Sequence, residues 1–139
     1  MESGFWVRIK KYILARLVFI WNFTIIYKEI RLKKIWRVED KAGRGCYQYI
    51  TGHKHHYDII IEHSEITPAQ HPTPINDTGI ERYIRDIEIC GFLTREQAIQ
   101  WFSERDLKEL GEAGFELKEV EVAEITAIGE KQVLAIRRV

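Results

Sequence analysis

Between Ile30 and Glu39 the side chains alternate with a period of two. Ile30, Leu32, Trp36 and Val38 share one face, and Arg31, Lys33, Arg37 and Glu39 share the other. An extended strand sorts such residues onto a buried face and a wet one. Looser alternation returns in Phe115–Ile125 and again in Lys131–Arg138. The turn between those two segments, Ala127–Glu130, holds Gly129, whose backbone freedom suits a hairpin. These segments predict one sheet, and a sheet with a single apolar face needs a second layer to cover it.

Helix signals supply that layer. Thr94 can cap a helix, with Gln97 three residues on as the capping-box partner, and Ala98, Trp101 and Phe102 form its buried side. Ser103 caps a following helix, Glu104–Ala113, which Gly114 stops. Ile80, Tyr83, Ile84 and Ile87 recur at helical spacing and predict a third helix ending near Gly91, although Tyr83–Cys90 also reads as a strand. Asp40–Gly45 reads as a turn, and Cys46–Ile50 and Tyr57–Ile61 as short strands. The rest of 51–79 reads as loop, with all three prolines, Pro68, Pro72 and Pro74. The expected fold is α+β: a mostly antiparallel sheet of four to five strands, with two to three helices packed on one face. Residues 30–139 form this single domain, and residues 1–29 form a basic, apolar extension.

The net charge is zero but unevenly spread. Residues 1–37 carry nine basic and two acidic side chains, so the remainder is acidic by the same margin. Phosphates need a positive field, so the acidic body is not expected to bind nucleic acid. Tyr12–Tyr27 is mostly apolar, interrupted by Arg16, Asn22 and Thr24 and flanked by basic residues. Three readings of it stand: a helix lying in or anchored at a membrane interface, an extra element packed on the domain, or a translated upstream stretch outside the working protein. Cys46 and Cys90 lack C-x-x-C spacing, and two lone thiols point to a reducing, cytoplasmic compartment, with membrane association through the N-terminal segment as the variant.

Four constellations carry chemistry. All five histidines, His53, His55, His56, His63 and His71, fall within 53–71. The first four, with Asp58 and Glu62 nearby, are candidate ligands for a divalent metal, against a solvated loop. His53 and His55 would share one strand face. Gly43-Arg44-Gly45 resembles a fragment of a phosphate-cradling loop, though no helix follows it, so a turn with Arg44 near an anion is expected. Cys90, among Ile87, Ile89 and Phe92, reads as a small buried residue and not as a nucleophile. Glu119, Glu121 and Glu124 form an acidic run on a strand.

Trp36-Arg37-Val38-Glu39-Asp40, Gly43-Arg44-Gly45 and Tyr47 resemble a family of small phage, prophage and mobile-element proteins. The resemblance continues through His71-Pro72-Thr73-Pro74, Asp77-Thr78-Gly79-Ile80 and Cys90-Gly91-Phe92 to Gln97, Trp101-Phe102, Gly129, Gln132 and Val133. It covers about 35–136, and the chain departs from it at Cys46, where the family often has proline. The family carries no activity to transfer. With no convincing catalytic set in the sequence, the expected function is a non-enzymatic protein-interaction module from a phage or mobile element, acting on a host or defence protein through its acidic surface. A more distant similarity to ADP-ribosyltransferases implies an NAD pocket, with Arg37 on pyrophosphate, Tyr47 beside it, and Gln132 or the Glu119-Val120-Glu121 triplet on the ribose. Histidine-loop metal binding is the third reading. Arg37, Arg44, Tyr47 and His71 are the expected ligand-binding residues, and a pocket requires them to converge with Gln132.

Overall fold

The computed structural model describes residues 33–48 and 52–138. The N-terminal readings, including the membrane helix, lie outside these residues, as do Tyr49 and Ile50. The compact unit runs from Lys34 to Val139.

Its frame is four antiparallel strands: β1 (Lys34–Glu39), β2 (Glu88–Gly91), β3 (Glu116–Ile128) and β4 (Val133–Arg137). Their order is β1-β3-β4-β2. Trp36 and Phe92 exchange both backbone hydrogen bonds, at 2.7 and 2.8 Å, so the outer strands meet and the sheet curls towards closure. Three helices, α1 (Lys54–Ile61), α2 (Arg95–Trp101) and α3 (Glu104–Glu112), complete the α+β fold.

The curl gives each sheet face a core. Val38 and Phe115 pack with Ile59 of α1, Ala98 and Trp101 of α2, Phe102, and Leu110 of α3. On the other face Ile35, Val120, Val122, Val133 and Ala135 form a second cluster. The Arg37–Glu39 face of β1, expected to be wet, is therefore interior. Glu39 is 3 % exposed and Ile35 is fully buried. A flat sheet would have left that face in water, whereas a curled one encloses it.

Both helix starts form as expected. Thr94 and Gln97 make a capping box, and Ser103 makes a second with Asp106. Gly114 adopts φ +97° just past α3. Other expectations fail for local reasons. Tyr57–Ile61 is helical although β-branched, because the helix turns Ile59 into the core and His56 towards Phe115. No helix forms over Ile80–Ile87. Glu81 takes φ +50°, and buried Glu88 draws Arg82 and Arg85 onto its carboxylate. Only Glu88–Gly91 of that stretch is a strand. Cys46–Gln48 is a turn closed by the Gln48 amide on the Gly45 carbonyl at 3.2 Å. Gly129 is needed for space and not for a left-handed turn: a Cβ there would lie 2.5 Å from Asp77, whose carboxylate accepts the Gln132 amide.

Candidate functional site

A cleft of about 710 Å³ opens beside α1 and α2, and Arg37, Arg44, Tyr47, His71 and Gln132 all line it. Its floor is a hydrogen-bonded chain of side chains. The helix α1 runs on into one wider, π-type turn, Glu62–Ile66, which carries His63 inwards to 2 % exposure. Insertions of this kind re-aim a side chain at the cost of regular backbone bonding. His63 Nε2 lies 3.0 Å from Asp106 Oδ2, and Nδ1 lies 2.6 Å from the Tyr47 hydroxyl. The Trp101 indole N–H donates to the same hydroxyl at 2.5 Å. An indole can only donate, so the Tyr47 oxygen accepts and its O–H is left to donate to His63 Nδ1. The tautomer completing the chain carries its proton on Nε2 and donates it to Asp106.

His71 stacks on His63, with ring centroids 3.6 Å apart and planes within 5°. Its Nε2–H donates to the Trp101 carbonyl at 2.7 Å, and Nδ1 meets the Thr67 hydroxyl at 3.0 Å. Asp106 Oδ2 also accepts the Ser103 amide at 3.1 Å. One carboxylate thus caps α3 and orients His63. Burial raises the Asp106 pKa, but the His63 and Ser103 bonds outweigh burial and hold it below its ordinary 3.8. Burial of the Tyr47 hydroxyl pushes its pKa well above 10, although the ring as a whole is 44 % exposed.

Arg37 is committed elsewhere. Its Nε donates to Glu39 at 3.0 Å and its Nη1 to the Cys90 carbonyl at 2.6 Å. Glu39 also receives Lys118 at 3.5 Å and a close Arg137, so three cations share one carboxylate. Burial raises the Glu39 pKa, and Arg137 and Arg37 together bring it below 4.5. The third guanidinium nitrogen of Arg37 lies against Gly45, where a Cβ would come within 2.8 Å.

Gly43-Arg44-Gly45 does cradle an anion, but the anion is its own. Asp40 Oδ1 accepts the amides of Ala42 and Arg44, both at 2.9 Å, and Oδ2 accepts Arg44 Nε at 2.9 Å. Gln132 sends its side-chain amide to the Pro72 carbonyl at 2.7 Å. The other histidines do not join His63. His53 and His55 stand at the start of α1 with rings 5.6 Å apart, not on a strand, and His56 Nε2 makes a close bond to the Cys46 carbonyl. Among the described residues no group of three His, Cys, Asp or Glu side chains is placed to hold a metal. Burial pushes the Cys46 thiol to about 12 and the Cys90 thiol to about 11, which disfavours the thiolate at neutral pH. Glu119, Glu121 and Glu124 are exposed.

Sequence reasoning missed Asp106 and the donor role of Trp101. The spacing Ser103-Glu104-Arg105-Asp106 was a legible capping signal, but nothing local connects it with a histidine 43 residues away. Among the described residues no helix is long and apolar enough to cross a membrane. The family model for the Bacteriophage T4 Y00F protein matches residues 32–138. No curated protein and no solved structure matches the chain.

Proposed function

From the premise that this chain belongs to the Bacteriophage T4 Y00F protein family, we propose that it is a phage-encoded binding protein that docks on a host or defence protein and does no covalent chemistry. The observation that carries this reading is the loop before β2. Tyr83, Ile84 and Ile87 are 77, 41 and 61 % exposed. They belong to no helix or strand, yet the loop is pinned from beneath. Arg82 Nη2 lies 2.7 Å and Arg85 Nε 3.1 Å from the fully buried Glu88 carboxylate, and Thr126 closes on it from β3. Apolar side chains held bare on a fixed backbone bury area on docking with little ordering cost. The partner would present an apolar segment, and Glu119, Glu121 and Glu124 would steer basic groups around it.

The raised thiols, the engaged Arg37 and the closed Tyr47–His63–Asp106 chain support binding over catalysis. The test is retention of bacterial host proteins on the immobilised full chain, quantified by mass spectrometry and repeated with each purified candidate. Tyr83→Glu with Ile87→Glu should abolish retention of the specific partner without lowering the melting temperature. Tyr47→Phe should leave retention unchanged. If the loop variant retains the same proteins with equal affinity, the docking surface is not this loop.

A further inference from the structure

Beyond protein docking, we propose that the cleft is a binding site for a small planar anion, a ring bearing one phosphate or carboxylate. A volume of about 710 Å³ suits a small molecule. The ring-binding part is Tyr47. Phe102 stacks against it, with centroids 6.2 Å apart and planes at 23°, yet the residue is 44 % exposed. Its hydroxyl is held by Trp101 and His63, so the phenol cannot swing away. A flat ring fixed at its far end stacks a ligand with little loss of side-chain freedom.

The anion-binding part is Arg44. Arg44 spends Nε on Asp40, while its side chain stays 52 % exposed and lines the cleft. Behind it Arg37, Lys118 and Arg137 share Glu39, so this end carries more positive than negative charge. Of the acids in the lining, Glu88 is neutralised by Arg82 and Arg85, and Asp86 belongs to the segment leading into β2. A planar guanidinium and an aromatic ring lining one cleft match a flat ligand that carries one anionic group.

The test titrates the full chain by calorimetry with four probes: AMP, benzoate, adenosine and inorganic phosphate. AMP or benzoate should bind saturably and at least about tenfold more tightly than adenosine or phosphate. Whichever of the two wins identifies phosphate or carboxylate as the natural group. Arg44→Gln should weaken that ligand by about tenfold. Because it also removes the Nε bond to Asp40 at 2.9 Å, its fold is checked by circular dichroism and binding is compared at a temperature where it is fully folded. Tyr47→Leu should weaken the same ligand, and its fold is checked separately by circular dichroism. The proposal is overturned if no probe binds below millimolar, if adenosine or phosphate alone binds as tightly as AMP and benzoate, or if Arg44→Gln binds unchanged.

Discussion

Glu39 and Asp106 are carboxylates buried on opposite faces of one curled sheet, and each has a lowered pKa. Their partners differ in kind. Glu39, inside the curl, is met by three full charges arriving from β1, β3 and β4. Asp106, under the helices, is met by an imidazole and a backbone amide, and the chain ends in neutral donors, Tyr47 and Trp101. The first arrangement cross-links strands and leaves excess positive charge. The second costs less to bury and its product is orientation, since it fixes the rings that line the cleft. A buried ion cluster thus closes the sheet, and a buried hydrogen-bond chain shapes the site.

The sharpest way to break this contrast is Glu39→Gln. Removing one carboxylate leaves three cations facing each other, and uncompensated buried charge costs about 3–5 kcal/mol. Urea denaturation should show that loss, and adding Arg137→Leu should recover part of it. An Arg137→Leu double variant no better than the single would mean that Glu39 acts through packing alone. The same residue predicts a pH response. A carboxylate with a depressed folded pKa contributes stability above its ordinary value and loses it as pH falls through the folded one. Glu39 and Asp106 should therefore begin to weaken the fold below their ordinary values of 4.5 and 3.8, and Glu39→Gln should flatten its share of that slope.

These two networks also explain what the sequence could and could not disclose. Alternation in β1, β3 and β4, and the Thr94 and Ser103 caps, are local patterns, so the strands and both capped helices were legible. The apolar pattern of Ile80, Tyr83, Ile84 and Ile87 was equally local and misled, because Glu88 takes the arginines that a helix would have left on its surface. The convergence of Arg37, Arg44, Tyr47, His71 and Gln132 on one cleft could be named as a requirement. Their partners could not. Arg37 to Cys90 spans 53 residues and Trp101 to Tyr47 spans 54, and no periodicity encodes such pairs.

A middle-sized effect is expected at Asp106→Ala. It removes a cap and the acceptor of His63 together, worth about 2–3 kcal/mol from the capping and hydrogen-bond contributions. The distinguishing readout is near-ultraviolet circular dichroism of Tyr47 and Trp101. The orienting role requires the aromatic signal to fall even under conditions where the variant is fully folded. An unchanged aromatic signal would reduce Asp106 to a helix cap and remove the contrast with Glu39.

The smallest effect belongs where neither network reaches. Glu81 holds φ +50° without glycine's freedom, a strain of about 1 kcal/mol. Glu81→Gly relieves that strain but loosens the unfolded chain by a similar amount, so the net change should stay within about 1 kcal/mol. Gly79 gives the opposite sign two residues earlier. It sits at φ +98°, and a Cβ there would lie 2.7 Å from the Ile128 carbonyl oxygen, so Gly79→Ala should destabilise by more than about 1 kcal/mol. If Glu81→Gly instead destabilises as strongly as Gly79→Ala, the Glu81 side chain is part of what holds the loop before β2. Anchoring by Glu88 would then be only half of the reason that Tyr83 and Ile87 stand exposed.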